Sequence, residues 1–376
     1  MTPGSGRLRR LLLDLSPLRR DRDFRLLWLG QSVSGIGNQV TRIALPFQAY
    51  DLTHSTLAIA ALAAVQLVPI LAFAMAAGSV ADAVDRRRLL LVTQVALASS
   101  SIALLVLALV PAPPLAAILG VAFVAAALGA VDQPARSSAV PRLVPAERLP
   151  AALALNQLNF QVASVVGPTL GGLLIASVGL AGAYAVDVVS FATSFAALLL
   201  IAPLPPLGRV TRPGIAAIRD GLRFVRARRV ILATFVVDLD AMVFGMPTSL
   251  FPALALDVFK VGPTGFGLLA AAPAAGALLG ALLSGWVSSV RRIGRAVVLA
   301  VAAWGVAITG FGLATISFPV ALVLLGAAGA ADVLSAVFRG TIVQTEAPDE
   351  LRGRVTGVHI LVVTSGPRLG DVEAAV

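Results

Sequence analysis

Cysteine is missing from the chain, which excludes disulfides and thiolate metal sites. Histidine is nearly missing: His54 and His359 are the only two, too few for a histidine-rich metal centre. Lysine occurs once, at Lys260, so the basic character rests on arginine. Charge is scarce, 13% of residues against about 25% in a soluble domain. Catalytic signatures are missing too: there is no H-E-x-x-H, no phosphate loop closing on Gly-Lys-Ser/Thr, and no Gly-x-Ser-x-Gly. No cofactor or metal is called for, enzymatic activity is not expected, and uphill work must draw on an ion gradient or on the substrate's own gradient. Residues 1–23 are basic, broken by Pro17, and lack the apolar core and small-residue cleavage site of a signal peptide. The first span is expected to act as an uncleaved insertion signal.

What the chain has instead is apolar sequence. Of 376 residues 58% are hydrophobic, and mean hydropathy is +0.93. Apolar runs cover residues 24–50, 55–81, 89–110, 115–134, 151–178, 180–202, 230–254, 264–288, 296–316 and 318–338. A run above about 18 residues reads as a membrane-spanning helix, so an all-α multi-spanning membrane protein is predicted. The net charge of +10 is not a nucleic-acid signal, because the arginines sit in short clusters between spans. The N-terminal arm and the loops after even-numbered spans hold nearly all of them; the loops after odd-numbered spans hold only Lys260. The positive-inside rule then puts the N-terminus and the even loops in the cytoplasm, with a bacterial inner membrane as the location and the bilayer as a partner.

The first span is the least apolar. It carries Gln31, Asn38 and Arg42, which must line a cavity or pack on other helices. The fifth span has a second polar strip, with Asn156 and Asn159. Both strips are candidate substrate-pathway residues. Arginines and apolar residues alternate at helical spacing over 207–229, which reads as an interfacial amphipathic linker. It separates an N-terminal six-span half (1–206) from a C-terminal half (230–376). The halves repeat at a spacing close to about 200 residues: Asp132 answers Asp332, Arg136 answers Arg339, and Pro46 answers Pro247. Such duplicated units are a transporter architecture, with the site between the halves near the midplane.

After the second span the chain reads Gly78-Ser-Val-Ala-Asp82-Ala-Val-Asp85-Arg86-Arg87-Arg88. This loop resembles the signature loop of the major facilitator superfamily, matched at Gly78, Asp82, Arg86 and Arg87. Ala83 and Asp85 depart from the pattern, which normally has a basic residue and a glycine there. Gly167-Pro168 and Gly171-Gly172 in the fifth span resemble the antiporter-associated motif of that family. Residues 24–51 and the run Asp132-Gln-Pro-Ala-Arg136 resemble the branch containing the enterobactin exporter and macrolide-efflux proteins. The resemblance implies two six-helix pseudo-repeats that rock against each other. It implies a latch in which Asp82 faces the start of an eleventh helix and Arg86 pairs with Asp132, beside Arg87 and Arg136.

Charges inside spans are the candidates for proton coupling: Asp238 or Asp240 first, then Asp187, then Asp371. A buried carboxylate that alternately binds and releases a proton is what a proton-driven exporter needs. Asp238 and Asp240 are also the expected partners of Arg42. The eleventh span has only about nine apolar residues, 355–363, before the polar run 364–373, where about 20 are needed. The second half is therefore expected to be truncated within helix 11. The function expected is proton-coupled efflux of a small amphipathic compound, a drug or siderophore, by a monomer. The alternative is a non-transporting membrane protein or sensor of the same fold.

Overall fold

The computed structural model describes residues 14–205, 222–245, 248–314, 317–346 and 349–375, apart from the side chains at 74–83, 288, 349–354, 356–357, 359–361, 364 and 375. Gly78 and Asp82 thus lie in a described helix, but their side chains, and those of residues 349–354 that Asp82 was expected to face, lie outside the described residues. So do residues 206–221 of the linker and Pro247. Regular structure among the described residues is helical throughout. The long helices are α1 (Arg22–Thr53), α2 (Thr56–Ala83), α3 (Arg86–Leu109), α4 (Leu115–Leu143), α5 (149–178), α6 (180–199), α7 (Arg229–Phe244), α8 (Gly262–Leu282), α9 (Ile293–Leu313), α10 (Phe318–Glu346) and α11 (Asp349–Ala375).

The local reasons are legible. The Ser55 hydroxyl accepts from the Leu57 N–H at 3.3 Å and opens α2. Asp85 opens α3 by accepting from the Arg88 N–H at 2.9 Å. That explains why an acid stands where the signature loop normally has glycine. Between α5 and α6 the chain turns only at Gly179, whose φ of 74° suits a residue without a Cβ. At the far end of α6, Arg87 donates to the carbonyls of Leu198 (3.0 Å) and Leu199 (2.7 Å), satisfying C-terminal groups with a cation.

Three boundaries differ from the sequence expectation. Helix α4 runs through Pro134 and Pro141 to Leu143, nine residues beyond its expected end at 134. Span seven is not one helix. It breaks at Gly245 and resumes as short turns, Thr248–Leu250, Phe251–Ala253 and Leu254–Val258. Irregular backbone at membrane depth is tolerated where it is buried in protein or lines a cavity. Helix α11 does not stop at the polar run: it continues through it as one helix of 27 residues, about 40 Å at 1.5 Å per residue.

The apolar core is unevenly distributed. Near the odd-numbered loops (the far side), one cluster joins both halves: Phe47, Leu62, Leu104, Ile118, Ile175 and Tyr184 pack with Phe251, Phe266, Leu269, Phe311 and Leu325. Phe47 stacks on Phe266 with ring centroids 6.1 Å apart. On the side of the N-terminal arm the described core residues fall into separate clusters. One cluster, including Phe24, Leu90, Ala139 and Leu155, belongs to the first half alone. Two more, around Phe235 and Phe338, belong to the second. The halves also meet along α5 with α8 and α2 with α11.

Candidate translocation site

Gln31, Asn38 and Arg42 fall on one face of α1, and Asn38 and Arg42 are exposed although they lie mid-helix. A charged residue exposed at that depth faces water rather than lipid, so this face borders a cleft between the halves. The Gln39 side chain orients Arg42. Its Oε1 accepts from the guanidinium at 3.3 Å, while its amide donates to Ser164 Oγ on α5 at 3.1 Å. Across the cleft, Arg42 interacts electrostatically with Asp371 of α11, and Arg368 of α11 interacts with both. Asp371 accepts a short hydrogen bond from Thr248, at the break in span seven. Among the described residues Arg42 makes no ion pair with Asp238 or Asp240; it hydrogen-bonds to Gln39, and the acid whose charge reaches it is Asp371. Sequence spacing could not place it, because α11 enters the cleft only through packing of the two halves.

Among the described residues Asp187 is the most enclosed acid of the first half, 1% exposed. It joins three helices. Thr41 Oγ1 of α1 and Ser101 Oγ of α3 donate to its Oδ2, both at 2.7 Å, and Ser190 Oγ lies 3.3 Å from Oδ1. Gly37 makes the space: a Cβ there would fall 2.7 Å from Asp187 Oδ1. No cation stands among its partners in the described residues. One turn away, Tyr184 donates to Gln48 at 2.8 Å.

Asp238 is buried and forms an ion pair with Arg339 at 2.7 Å; Asp332 approaches the same arginine at 3.8 Å. Asp240 is exposed. In the first half, Asp132 accepts from Thr93 Oγ1 at 2.6 Å and pairs with Arg136 one turn on. The latch pairing of Arg86 with Asp132, expected for a closed cytoplasmic side, is not made in this form. The Arg86 Nε donates to Ser138 Oγ at 3.0 Å, since Arg136 already fills the carboxylate. Arg86, Arg87, Asp132 and Arg136 thus make these contacts within the first half. Asn159 is buried on α5 and Asn156 half-buried.

The glycines of the fifth span divide between two neighbours. A Cβ on Gly167 would strike Gln39 of α1, and one on Gly171 would press on Val40. Gly172 instead faces α8, where a Cβ would lie 2.9 Å from the Gly267 Cα and 2.5 Å from the Pro263 carbonyl oxygen; reciprocally, a Cβ on Gly267 would lie 2.5 Å from the Pro168 carbonyl oxygen. Tyr50 of α1 also reaches across the halves, donating a short hydrogen bond to Asp257. The sequence reading passed over Asp257, Thr248 and the hydroxyls around Asp187. A lone acid at a loop edge and single Ser or Thr residues give no periodic signal.

A family model described as transmembrane secretion effector matches residues 13–373. An enterobactin exporter of Shigella boydii serotype 18 is 29% identical over 365 residues, covering 96% of this chain and 86% of the relative. Among solved structures, a bacterial homologue of the iron transporter ferroportin in its inward-facing state aligns with a TM-score of 0.73 at 16% identity, over 94% of this chain and 91% of the other. The outward-facing state of such a homologue aligns at 0.60 and 18% identity, over 92% and 89%. Among the described residues, eight segments are long and apolar enough to cross a membrane, one of them, Ala146–Leu199, holding both α5 and α6. The match over nearly the whole chain, on a fold shared with these transporters, means that the protein belongs to the transmembrane secretion effector family of the major facilitator superfamily.

Proposed function

We propose that the protein is a proton-coupled exporter of a small amphipathic compound, working as a monomer by alternating access. One observation carries this reading. Among the described side chains the two halves share an apolar core on the far side, and the polar face of α1 borders the cleft between them. Placing the arm in the cytoplasm makes this the inward-facing form. Support comes from the higher structural similarity to the inward-facing ferroportin homologue and from kinship with an enterobactin exporter. Rocking about the crossings of α5 with α8 and α2 with α11 would open the far side and bring the signature loop, with Gly78 and Asp82, toward the start of α11.

Antiport requires that proton and substrate favour opposite states of the carrier, by a linkage that is reciprocal. We assign the proton to Asp187. Its charge is held by neutral hydroxyls from three helices, so protonation changes the packing of α1 on α3 and α6 without breaking an ion pair. Asp238 faces a compensating arginine and Asp240 is exposed, which places both behind Asp187. The test is ethidium movement in inverted membrane vesicles holding the full chain and energised by respiration. Accumulation that collapses with an uncoupler supports the reading. Accumulation indifferent to the uncoupler overturns proton coupling, and none above vesicles lacking the protein overturns export of this class.

A further inference from the structure

We propose that the groove between α10 and the start of α9 binds an anionic phospholipid, its headgroup on Arg292 and Arg295 and its chains along Leu299 and Leu334. The inference goes beyond the transport reading and does not depend on it.

The sequence supplies the charge. Residues 284–296 hold Arg291, Arg292 and Arg295 and no acid. The chain leaves α8 in a short turn, Ser284–Ser289, and enters α9 at Ile293. All three arginines are exposed, and among the described residues none of them makes an ion pair.

Packing supplies the groove. Trp286 of the turn rests against Phe338 of α10, with ring centroids 6.2 Å apart. Both rings line a groove of about 390 Å³, together with Leu299, Leu334, Arg292 and Arg295. That volume falls among those of small-molecule sites, about 300–1,000 Å³. Leu299 and its neighbour Val298 are exposed on a membrane-spanning helix, so this wall of the groove faces lipid.

The internal repeat separates a site from a merely basic surface. The first half has a groove of about 330 Å³ at the same place, lined by Asp85, Arg88, Leu89 and Val92. These answer Arg292, Arg295, Ala296 and Leu299 one for one, at a constant spacing along the chain. The first groove sets an acid beside its arginine; the second has arginine at both positions. The first copy also spends its other arginines on protein, Arg86 on Ser138 and Arg87 on the carbonyls of Leu198 and Leu199. The second copy keeps the groove and turns its cations outward. A basic pocket at headgroup level that continues onto a lipid-facing wall fits a lipid with a negative head, and the guanidinium fork matches its phosphate. A soluble anion would gain nothing from Leu299 and Leu334, and a zwitterionic lipid would bring a second cation to the arginines.

The probes are phosphatidylglycerol and phosphatidylcholine, each brominated on its chains, in vesicles of plain phosphatidylcholine holding the full chain. Bromine quenches tryptophan on contact. The chain has three tryptophans, and the quenching that disappears on Trp286→Phe, made in each background, belongs to Trp286. Brominated phosphatidylglycerol is expected to be preferred at Trp286 by about tenfold or more over brominated phosphatidylcholine. Arg292→Gln and Arg295→Gln are each expected to lower that preference about fivefold. Arg292→Asp gives this groove the charge pattern of the first and is expected to abolish it. Arg88→Gln removes a charge from the same side of the molecule and is expected to leave it unchanged. All these arginines are exposed, and the melting point of each variant reports folding separately. Equal quenching by the two lipids in the wild type overturns the site. So does an equal fall in Arg88→Gln and Arg292→Gln, which would mean diffuse surface charge. A dimer in phosphatidylcholine vesicles that Arg292→Asp dissociates, with equal quenching by both lipids, would make a second copy the occupant instead.

Discussion

Gly172 of α5 and Gly267 of α8 let the two halves cross backbone against backbone: a Cβ built on either would lie 2.9 Å from the other's Cα. The neighbouring surface is the shared far-side core, with Phe47 on Phe266 and Tyr50 bonded to Asp257. The closed far side thus depends on the absence of two side chains.

Gly172→Val is therefore expected to push the halves apart on the far side and stop cycling. The chain has no native cysteine, so a single engineered one reports accessibility without background. A cysteine at Ala44, fully buried in the shared core, is expected to react with a membrane-impermeant thiol reagent from the far side only in the Gly172→Val background. Equal reactivity in both backgrounds would show that this crossing does not hold the far side shut.

Tyr50→Phe removes the donor to Asp257 and keeps the ring in place. The lost hydrogen bond to a carboxylate is worth about 1.5–3 kcal/mol, so the population open on the far side should rise by roughly tenfold or more. The Ala44 cysteine labelling rate is the measurement. No change would place the far-side closure in the apolar contacts alone.

Asp187→Asn keeps the size of the side chain and removes its charge. Uphill, proton-driven ethidium movement is expected to disappear, while exchange of labelled for unlabelled substrate down no gradient continues. Uncoupler-sensitive accumulation at the wild-type level in Asp187→Asn would remove this residue from the coupling role.

Arg339→Leu leaves Asp238 buried beside a carbon side chain. Breaking one side of a buried ion pair costs about 3–5 kcal/mol, so melting should drop sharply. The double variant Asp238→Leu/Arg339→Leu is expected to recover most of the loss, because the buried carboxylate is gone and Asp332, left behind, is half-exposed. A double variant as unstable as the single one would mean that Asp332, 3.8 Å from Arg339, or packing sets the cost instead.

Gly37→Ala probes the space at Asp187. The added methyl would overlap Ser190 and the carboxylate, neither of which can leave without breaking the hydroxyl network. Loss of both stability and ethidium efflux is expected. Gly35→Ala, on the same helix, has ordinary contact at 3.8 Å from Ala163 and should behave as the wild type.

Sequence alone determined the class of molecule and the course of its chain. Apolar runs near the length of the bilayer and arginines confined to alternate loops leave few folds open, because every backbone polar group in lipid must be satisfied within a helix. The same logic found the polar face of α1 and singled out Asp187 and Asp238 as costly charges. Tertiary structure alone decided which charges meet. Arg42 is held by Gln39 and makes no ion pair with Asp238, Arg86 donates to Ser138, Asp238 pairs with Arg339, and Gly172 turns to α8 while Gly171 turns to α1. These outcomes depend on rotation and crossing of helices far apart in sequence, and periodicity within one helix carries no information about either. The polar run 364–373 makes the same point. It was expected to end the eleventh span, yet α11 continues through it, because Arg368 and Asp371 turn toward the cleft and Gly366 and Gly370 pack on Met242.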